Sequence, residues 1–377
     1  MLPFHKELFV WVLAPFVETN DENLDYYYDY TQSIEEFTSA FRELHIKWKW
    51  QQVSNHNYKS IIDNINTGSS RENIVVINLC DGDEINNAPG VNIIRYLKKS
   101  GLCFTGADEY FYRTTTSKII MKQVFEARKV MTPPWEIITD DPRDAKSVIQ
   151  NLGKPVIVKP AISGGSLGVG IHSVVNNSKE LLLQYQKLLK GYHGWNLVNG
   201  GVFAEKFIDG PEFTTLIVGN GANSRECKIY LPVERAFNAS LPAHEKFLSF
   251  DRLWEMYEDE TPVKNDEDFY NYRAADVALI KNICKISFEA YKAVRGKGYG
   301  RIDIRMDKNT GRMYVLEVNA QCGLSDDENF TSIGAILRLS GNSFSSLIAT
   351  IIRNALTHKH AVKQHPAKQL DFIYSIK

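Results

Sequence analysis

Residues 300–319, GRIDIRMDKNTGRMYVLEVN, constrain this chain more than any other stretch of it. Two runs that mix apolar and polar residues, RIDIRM and MYVLEVN, flank Lys308-Asn309-Thr310-Gly311, and Gly311 suits a left-handed turn position. The pattern predicts a β-hairpin. Strand side chains alternate between faces, so Arg301 shares a face with Asp303, and Glu317 shares one with Asn319. A turn centred on Thr310 sets Asp303 opposite Glu317 and Arg301 opposite Asn319. Opposed residues lie roughly 5 Å apart, a distance at which two carboxylates repel unless a cation lies between them. Hard oxygen ligands of this kind suit magnesium, especially where substrate phosphates complete the coordination. The plainer alternative is a solvent-facing hairpin whose polar residues only alternate with Ile302, Ile304, Val315 and Leu316.

A second segment points to phosphate. Residues 154–174, KPVIVKPAISGGSLGVGIHSV, read as strand, glycine-rich loop, strand, with Lys159 at the first strand's end. Glycines such as Gly164 and Gly165 let backbone N–H groups crowd around phosphate oxygens, Ser166 adds a hydroxyl donor, and a lysine supplies a point charge. No helix pattern follows at once, unlike a Walker or dinucleotide fingerprint, and a glycine-rich hairpin tip is the bland alternative. Lys118, in YRTTTSKIIMK, and Glu205 and Glu212, flanking the turn of AEKFIDGPEF, join the candidates only in company. Singly they read as an exposed helix lysine and two surface carboxylates.

The rest of the chain supplies a frame. An apolar strand over 7–17, a helix with Ser33 as N-cap and Glu36 three residues on, a strand over 74–80 and a helix over 91–101 ended by Gly101 predict an α/β domain with a largely parallel sheet. Further expectations are a helix-compatible stretch over 116–128 and strand, turn, strand over 202–219. Beyond these come a mobile acidic loop over 239–273, helices over 276–295 and 344–356, and a poorly ordered polar tail. Lysine plus arginine total 44 against 45 acidic residues, so no net field favours nucleic acid or an anionic membrane. No apolar run approaches the ~20 residues of a membrane span, and the apolar start reads as a buried strand rather than a signal peptide. Five scattered cysteines without a CxxC, and His172, His244 and His358 without ligand spacing, suggest neither disulfides nor zinc. A cytoplasmic enzyme is expected.

Taken in order, TSK around Lys118, VIVKP(x)3GGSLGVG, AEKFIDGPEFT and GRIDIRMD…YVLEVNAQCGLS resemble the ATP-grasp superfamily, in its D-alanine–D-alanine ligase-like branch, over about residues 112–356. The resemblance implies an α/β (α+β) fold of three domains, over 1–113, 114–206 and 207–377, with ATP held between the central and C-terminal ones. It implies that Lys118 and Lys159 contact the ATP phosphates while Gly164, Gly165 and Ser166 close over them. Glu205, Lys206, Phe207 and Ile208 would read the adenine edge, Glu212 the ribose, and Leu316 would pack on the base. Asp303, Glu317 and Asn319 would hold two Mg2+ ions, with Mn2+ as the alternative; Arg301 and the amide of Gly323 would stabilise an oxyanion. The activity implied is ADP-forming ligation of a small-molecule carboxylate, an amino acid by default, to an amine through an acyl phosphate. A homodimer is implied as well. A small-molecule kinase and a non-catalytic nucleotide-binding protein are the rival readings.

Several departures lead us to expect an activity other than D-alanine–D-alanine ligation itself. The GG(x)SxE signature is missing after the first strand, which ends Ala14-Pro15-Phe16-Val17-Glu18. Gly165 stands where the branch has the first of two loop serines, and Leu253-Trp254 where it has lysine and tyrosine, with Arg252 able to replace the charge. Asp326, Asp327 and Glu328 follow the small-residue loop, either favouring a cationic acceptor or capping the next helix.

Overall fold

The first strand forms where the sequence offers an unbroken apolar run. β1 (Phe9–Pro15) is followed by α1 (Thr31–Glu43), β2 (Lys47–Val53), α2 (Tyr58–Asn66), β3 (Ile74–Asn78), α3 (Gly90–Ser100) and β4 (Cys103–Phe104). The strands are parallel in the order β2-β1-β3-β4. Val10, Val12, Leu13, Val75, Val76 and Ile77 are wholly buried, as expected of central strands covered on both faces. This computed structural model describes residues 4, 7–17, 28–67, 73–192, 194–264 and 267–364. Glu18 lies outside them. The helix expected to start at Ser33 begins earlier, with Asp29 accepting from the Thr31 N–H at 2.9 Å, and the Ser33–Glu36 capping box does not form. Gly101 closes α3 at φ 70° as expected.

The helix-compatible stretch at 116–128 forms α5 (Lys118–Ala127), capped by the Ser117 hydroxyl and preceded by α4 (Glu109–Thr116). β5 (Trp135–Ile138), α6 (Pro142–Leu152), β6 (Val156–Pro160), β7 (Val174–Val175), α7 (Ser178–Leu189) and β8 (Val202–Lys206) build a second sheet, antiparallel in the order β5-β8-β6-β7. β9 (Glu212–Val218) then opens a third sheet. The strand–turn–strand of AEKFIDGPEF forms as expected, and its turn carries the chain from the second sheet to the third. Gly210 makes the passage possible: its φ is 152°, and a Cβ there would strike the Met306 carbonyl.

The third sheet adds β10 (Lys228–Ile229), β11 (Val233–Phe237), β12 (Tyr270–Ala274), β13 (Tyr299–Met306) and β14 (Met313–Ala320), in the order β12-β11-β9-β13-β14 with β10 on β9. Before β12 lies the short α8 (Phe250–Trp254), and after it α9 (Val277–Ala293), which covers the sheet. The acidic 239–273 stretch is no bare loop, since Ser249, Asp251, Arg252 and Glu260 are buried within it. α10 (Ser332–Leu339) and α11 (Phe344–Gln364) close the described chain, the last running beyond the expected 356 into the polar tail. Among the described residues no single helix is long and apolar enough to cross a membrane; the pair α10–α11 passes only jointly, with a bend of 104°. Ile333, Ile336, Leu347 and Ile351 of this pair sit in a core shared with Phe37 and Phe41 of α1.

The β13–β14 register matches the sequence reading where it matters. Arg301 faces Asn319 and Asp303 faces Glu317. Beyond Asp303 the pairing slips by one residue, so Ile304 meets Val315 and Leu316 is left as the extra residue of a bulge. A turn around Lys308–Gly311, with Gly311 at φ 67°, closes the hairpin.

Candidate active site

Alternation along β13 and β14 puts four polar side chains on one face. The Arg301 guanidinium grips the Asp303 carboxylate with two nitrogens, Nε at 3.1 Å from Oδ1 and Nη2 at 2.8 Å from Oδ2. Thr214 of β9 donates to Asp303 Oδ1 at 2.6 Å. The Asn319 amide sits between the two carboxylates, 3.1 Å from Asp303 Oδ2 and 3.0 Å from Glu317 Oε1. Burial alone would make Arg301 a weaker base, but the Asp303 charge outweighs this and holds the guanidinium firmly protonated. A fork gripping through Nε and Nη2 leaves the Nη1 donors free.

Lys118 stands across from this face. It is the first residue of α5, with its Nζ 3.8 Å from Glu317 Oε2 and 2.8 Å from the Ser163 carbonyl. The structure thus brings Lys118, the glycine loop and the hairpin carboxylates together. Within the loop Gly164 and Gly165 are exposed, and Gly165 and Ser166 take φ of 52° and 62°. The Trp254 indole donates to the Gly165 carbonyl at 2.8 Å, and its ring lies 3.0 Å from where a Gly165 Cβ would be. The two departures at 165 and 254, read separately in the sequence, are one contact: the tryptophan needs the glycine. Arg252 turns elsewhere, to Glu245 at 2.7 Å and Glu260 at 3.5 Å.

Behind the loop lies a buried triad of charges. Glu205 of β8 holds Lys159 at 2.6 Å through Oε1 and Lys122 at 2.6 Å through Oε2. Burial would raise the Glu205 carboxyl, but the Lys122 and Lys159 charges prevail and hold it down at about 2. Lys122 was missed in the sequence. Its one local signal is a position four residues after Lys118, on the same side of the helix. Past Glu205, Lys206 is exposed while Phe207 and Ile208 are buried, and Phe207 packs edge-on against Phe247. Glu212 is buried in an ion pair with Arg235, which also meets the Tyr272 hydroxyl at 3.0 Å. Leu316, at the bulge, is half-buried.

Gly323 is exposed, with nothing within 4 Å of a Cβ placed on it. Beside it Cys322 is buried, which pushes its thiol up to about 12 and leaves no thiolate for chemistry. Two of the three acids beyond fill structural posts, and Asp326 is exposed. Asp327 Oδ1 accepts from the Asn329 and Phe330 amides at 3.0 Å each, and Glu328 lies 3.6 Å from Arg338. Gln321 ties this loop to the first sheet, donating to the Cys80 carbonyl at 2.9 Å.

Comparison with known proteins matches residues 124–353 to the family model described as D-ala D-ala ligase C-terminus. A D-alanine–D-alanine ligase from Polynucleobacter asymbioticus is 29% identical over 265 residues, covering 70% of this chain and 68% of that protein. One from Bordetella petrii is 26% identical, covering 70% and 72%. Among solved structures, the D-alanine–D-alanine ligase from Bacillus anthracis complexed with ATP aligns at a TM-score of 0.65 and 17% identity, covering 94% of this chain and 99% of that one. The enzyme from Coxiella burnetii gives a TM-score of 0.62, 16% identity, and coverage of 95% and 97%. These findings overturn the expectation of an activity apart from D-alanine–D-alanine ligases. That expectation weighed single positions as losses, two of which meet in one contact, while the likeness runs through most of the chain.

Proposed function

We propose D-alanine–D-alanine ligation as the reaction of this chain, which belongs to the D-alanine–D-alanine ligase C-terminal family and is an ADP-forming ATP-grasp carboxylate–amine ligase. The substrate is taken from what the relatives are named for. The observation that carries the chemistry is the shared face of Arg301, Asp303, Glu317 and Asn319, with Lys118 at 3.8 Å from Glu317.

In this reading the carboxylate of one D-alanine takes the γ-phosphoryl group of ATP, releasing ADP. The amino group of the second attacks the acyl carbon, and inorganic phosphate leaves. Lys118 and Lys159 neutralise the phosphates, and the amides of Gly164 and Gly165 with the Ser166 hydroxyl hold them. Trp254 keeps that loop folded down and water out. Two directly opposed carboxylates with an amide between them are a hard-oxygen donor set that fits Mg2+, and Asp303, Glu317 and Asn319 would hold it. When bound, the ion supplies charge neutralisation at the transferring phosphoryl group. Arg301, pinned by Asp303, aims its remaining donors at the oxyanion of the tetrahedral intermediate, with the Gly323 amide as partner. The backbone from Glu205 to Ile208, with Leu316, lines the base, and Glu212 the ribose.

The acid site is assigned to the crevice at the carboxyl ends of β1 and β3, where the strand order reverses direction. Tyr30 is fixed there by donating to the Pro15 carbonyl at 2.7 Å. The three sheets underlie a proposed division into domains over 1–113, 114–206 and 207–377. Free thiols at all five cysteines suit the cytoplasm as the setting. The test is phosphate release from ATP and Mg2+ with D-alanine, and mass spectrometry of the product. Release that requires D-alanine, with a product of two alanines less one water, is expected. A substrate that gains only a phosphoryl mass, with no free phosphate, would overturn the proposal in favour of a kinase.

A further inference from the structure

The Lys122 side chain is only 1% exposed, in the middle of α5. Its Nζ lies 2.6 Å from Glu205 Oε2 and 2.7 Å from the Thr132 hydroxyl, with the Phe203 ring 5.7 Å away. Burying an ammonium costs several kcal/mol even when it is paired. Space filling alone would be met better by an apolar side chain of the same length. The other oxygen of Glu205 holds Lys159, whose side chain is 18% exposed at the phosphate end of β6. One carboxylate thus orients the cleft lysine from one side and is itself held from behind.

The charge count gives Lys122 its meaning. Lys159 and Glu205 alone form a neutral pair, and a neutral pair offers little to an anion. With Lys122 behind, two lysines share one carboxylate, and the group keeps one net positive charge. We propose that Lys122, which never touches the nucleotide, is a positioning residue for phosphate binding: it offsets the Glu205 charge so that Lys159 is both oriented and electrostatically available. The inference rests on the reading of ATP as the phosphoryl donor.

The test compares ATP with adenosine, which carries no phosphate, as ligands of the full chain. In Lys122→Met the affinity for ATP should fall at least about tenfold, the scale of removing a unit charge a few ångströms behind the site. Adenosine affinity should stay within about twofold. Lys122→Arg, which keeps the charge, should retain the preference for ATP. Adding Glu205→Gln to Lys122→Met returns one net positive charge and should restore most of the ATP affinity. A purely structural Lys122 would lower both affinities alike and show no such rescue, overturning the inference. If Lys122→Met does not fold, the double variant is compared with Glu205→Gln alone, and removal of the lysine should still weaken ATP selectively. Wild-type protein that binds ATP no more tightly than adenosine and does not turn it over would sink the functional reading instead.

Discussion

Replacing Glu317 with glutamine is expected to lower kcat roughly a thousandfold while leaving the fold intact. The substitution preserves volume, and the Glu317 side chain is 26% exposed, with Lys118 no closer than 3.8 Å, so little stability depends on its charge. What it loses is one of two opposed carboxylates on the β13–β14 face. A carboxamide is a neutral and weaker ligand for a hard cation, and neutralisation of phosphoryl charge by such an ion is worth several kcal/mol at the transition state. At about 1.4 kcal/mol for each tenfold in rate, two to three powers of ten follow for the loss of half the anionic ligand set. Steady-state kinetics across a Mg2+ titration, beside a thermal melt, provide the check. The variant should require more Mg2+ and melt within about 2 °C of wild type. Activity within tenfold of wild type at ordinary Mg2+ would mean that the hairpin holds no catalytic ion.

Arg301→Lys should be nearly as damaging, lowering kcat about 10²- to 10³-fold with the KM for ATP little changed. Arginine here does two things at once. Two of its nitrogens fix Asp303, and its planar fork carries further donors in the same rigid frame. Lysine keeps the charge but has a single rotatable donor group, so it cannot hold Asp303 and reach a developing oxyanion together. The expected magnitude is that of losing one preorganised oxyanion donor. Because the oxyanion exists only after phosphoryl transfer, the loss should appear in amide formation. The partial reaction, phosphorylation of the acid detected as hydroxylamine-trapped acyl hydroxamate, should be less affected. Equal loss in both steps would assign Arg301 to phosphoryl transfer or to folding.

What the sequence disclosed and what it hid have physical causes. The β13–β14 face was legible because a period of two and a single glycine turn fix the register, and register alone decides which carboxylates meet. The bulge at Leu316 left no such mark. The strand, turn, strand of AEKFIDGPEF was legible, but not its crossing between sheets, because a turn between two strands reads the same whether the second pairs with the first or joins another sheet. The strand KWKWQQV went unread, since neither a proline nor a glycine separates it from the helix before it. Lys122 was invisible because its partner Glu205 is remote in the chain, while Glu126, four residues on along the helix, offers an ordinary surface pairing and instead accepts from the Trp135 indole. Gly165 and Trp254 show the limit of comparing positions one at a time: each looked like a separate departure, and only their contact shows that the two go together.

The central claim is that this chain activates a carboxylate as its acyl phosphate and then forms an amide. Incubation with ATP and D-alanine labelled with 18O in both carboxylate oxygens tests it most directly, by mass analysis of the phosphate released. One 18O in each phosphate is expected, because the carboxylate oxygen that attacks the γ-phosphorus leaves with it when the amine displaces phosphate. Phosphate released without label would show that no acyl phosphate forms and would rule out this route to the amide.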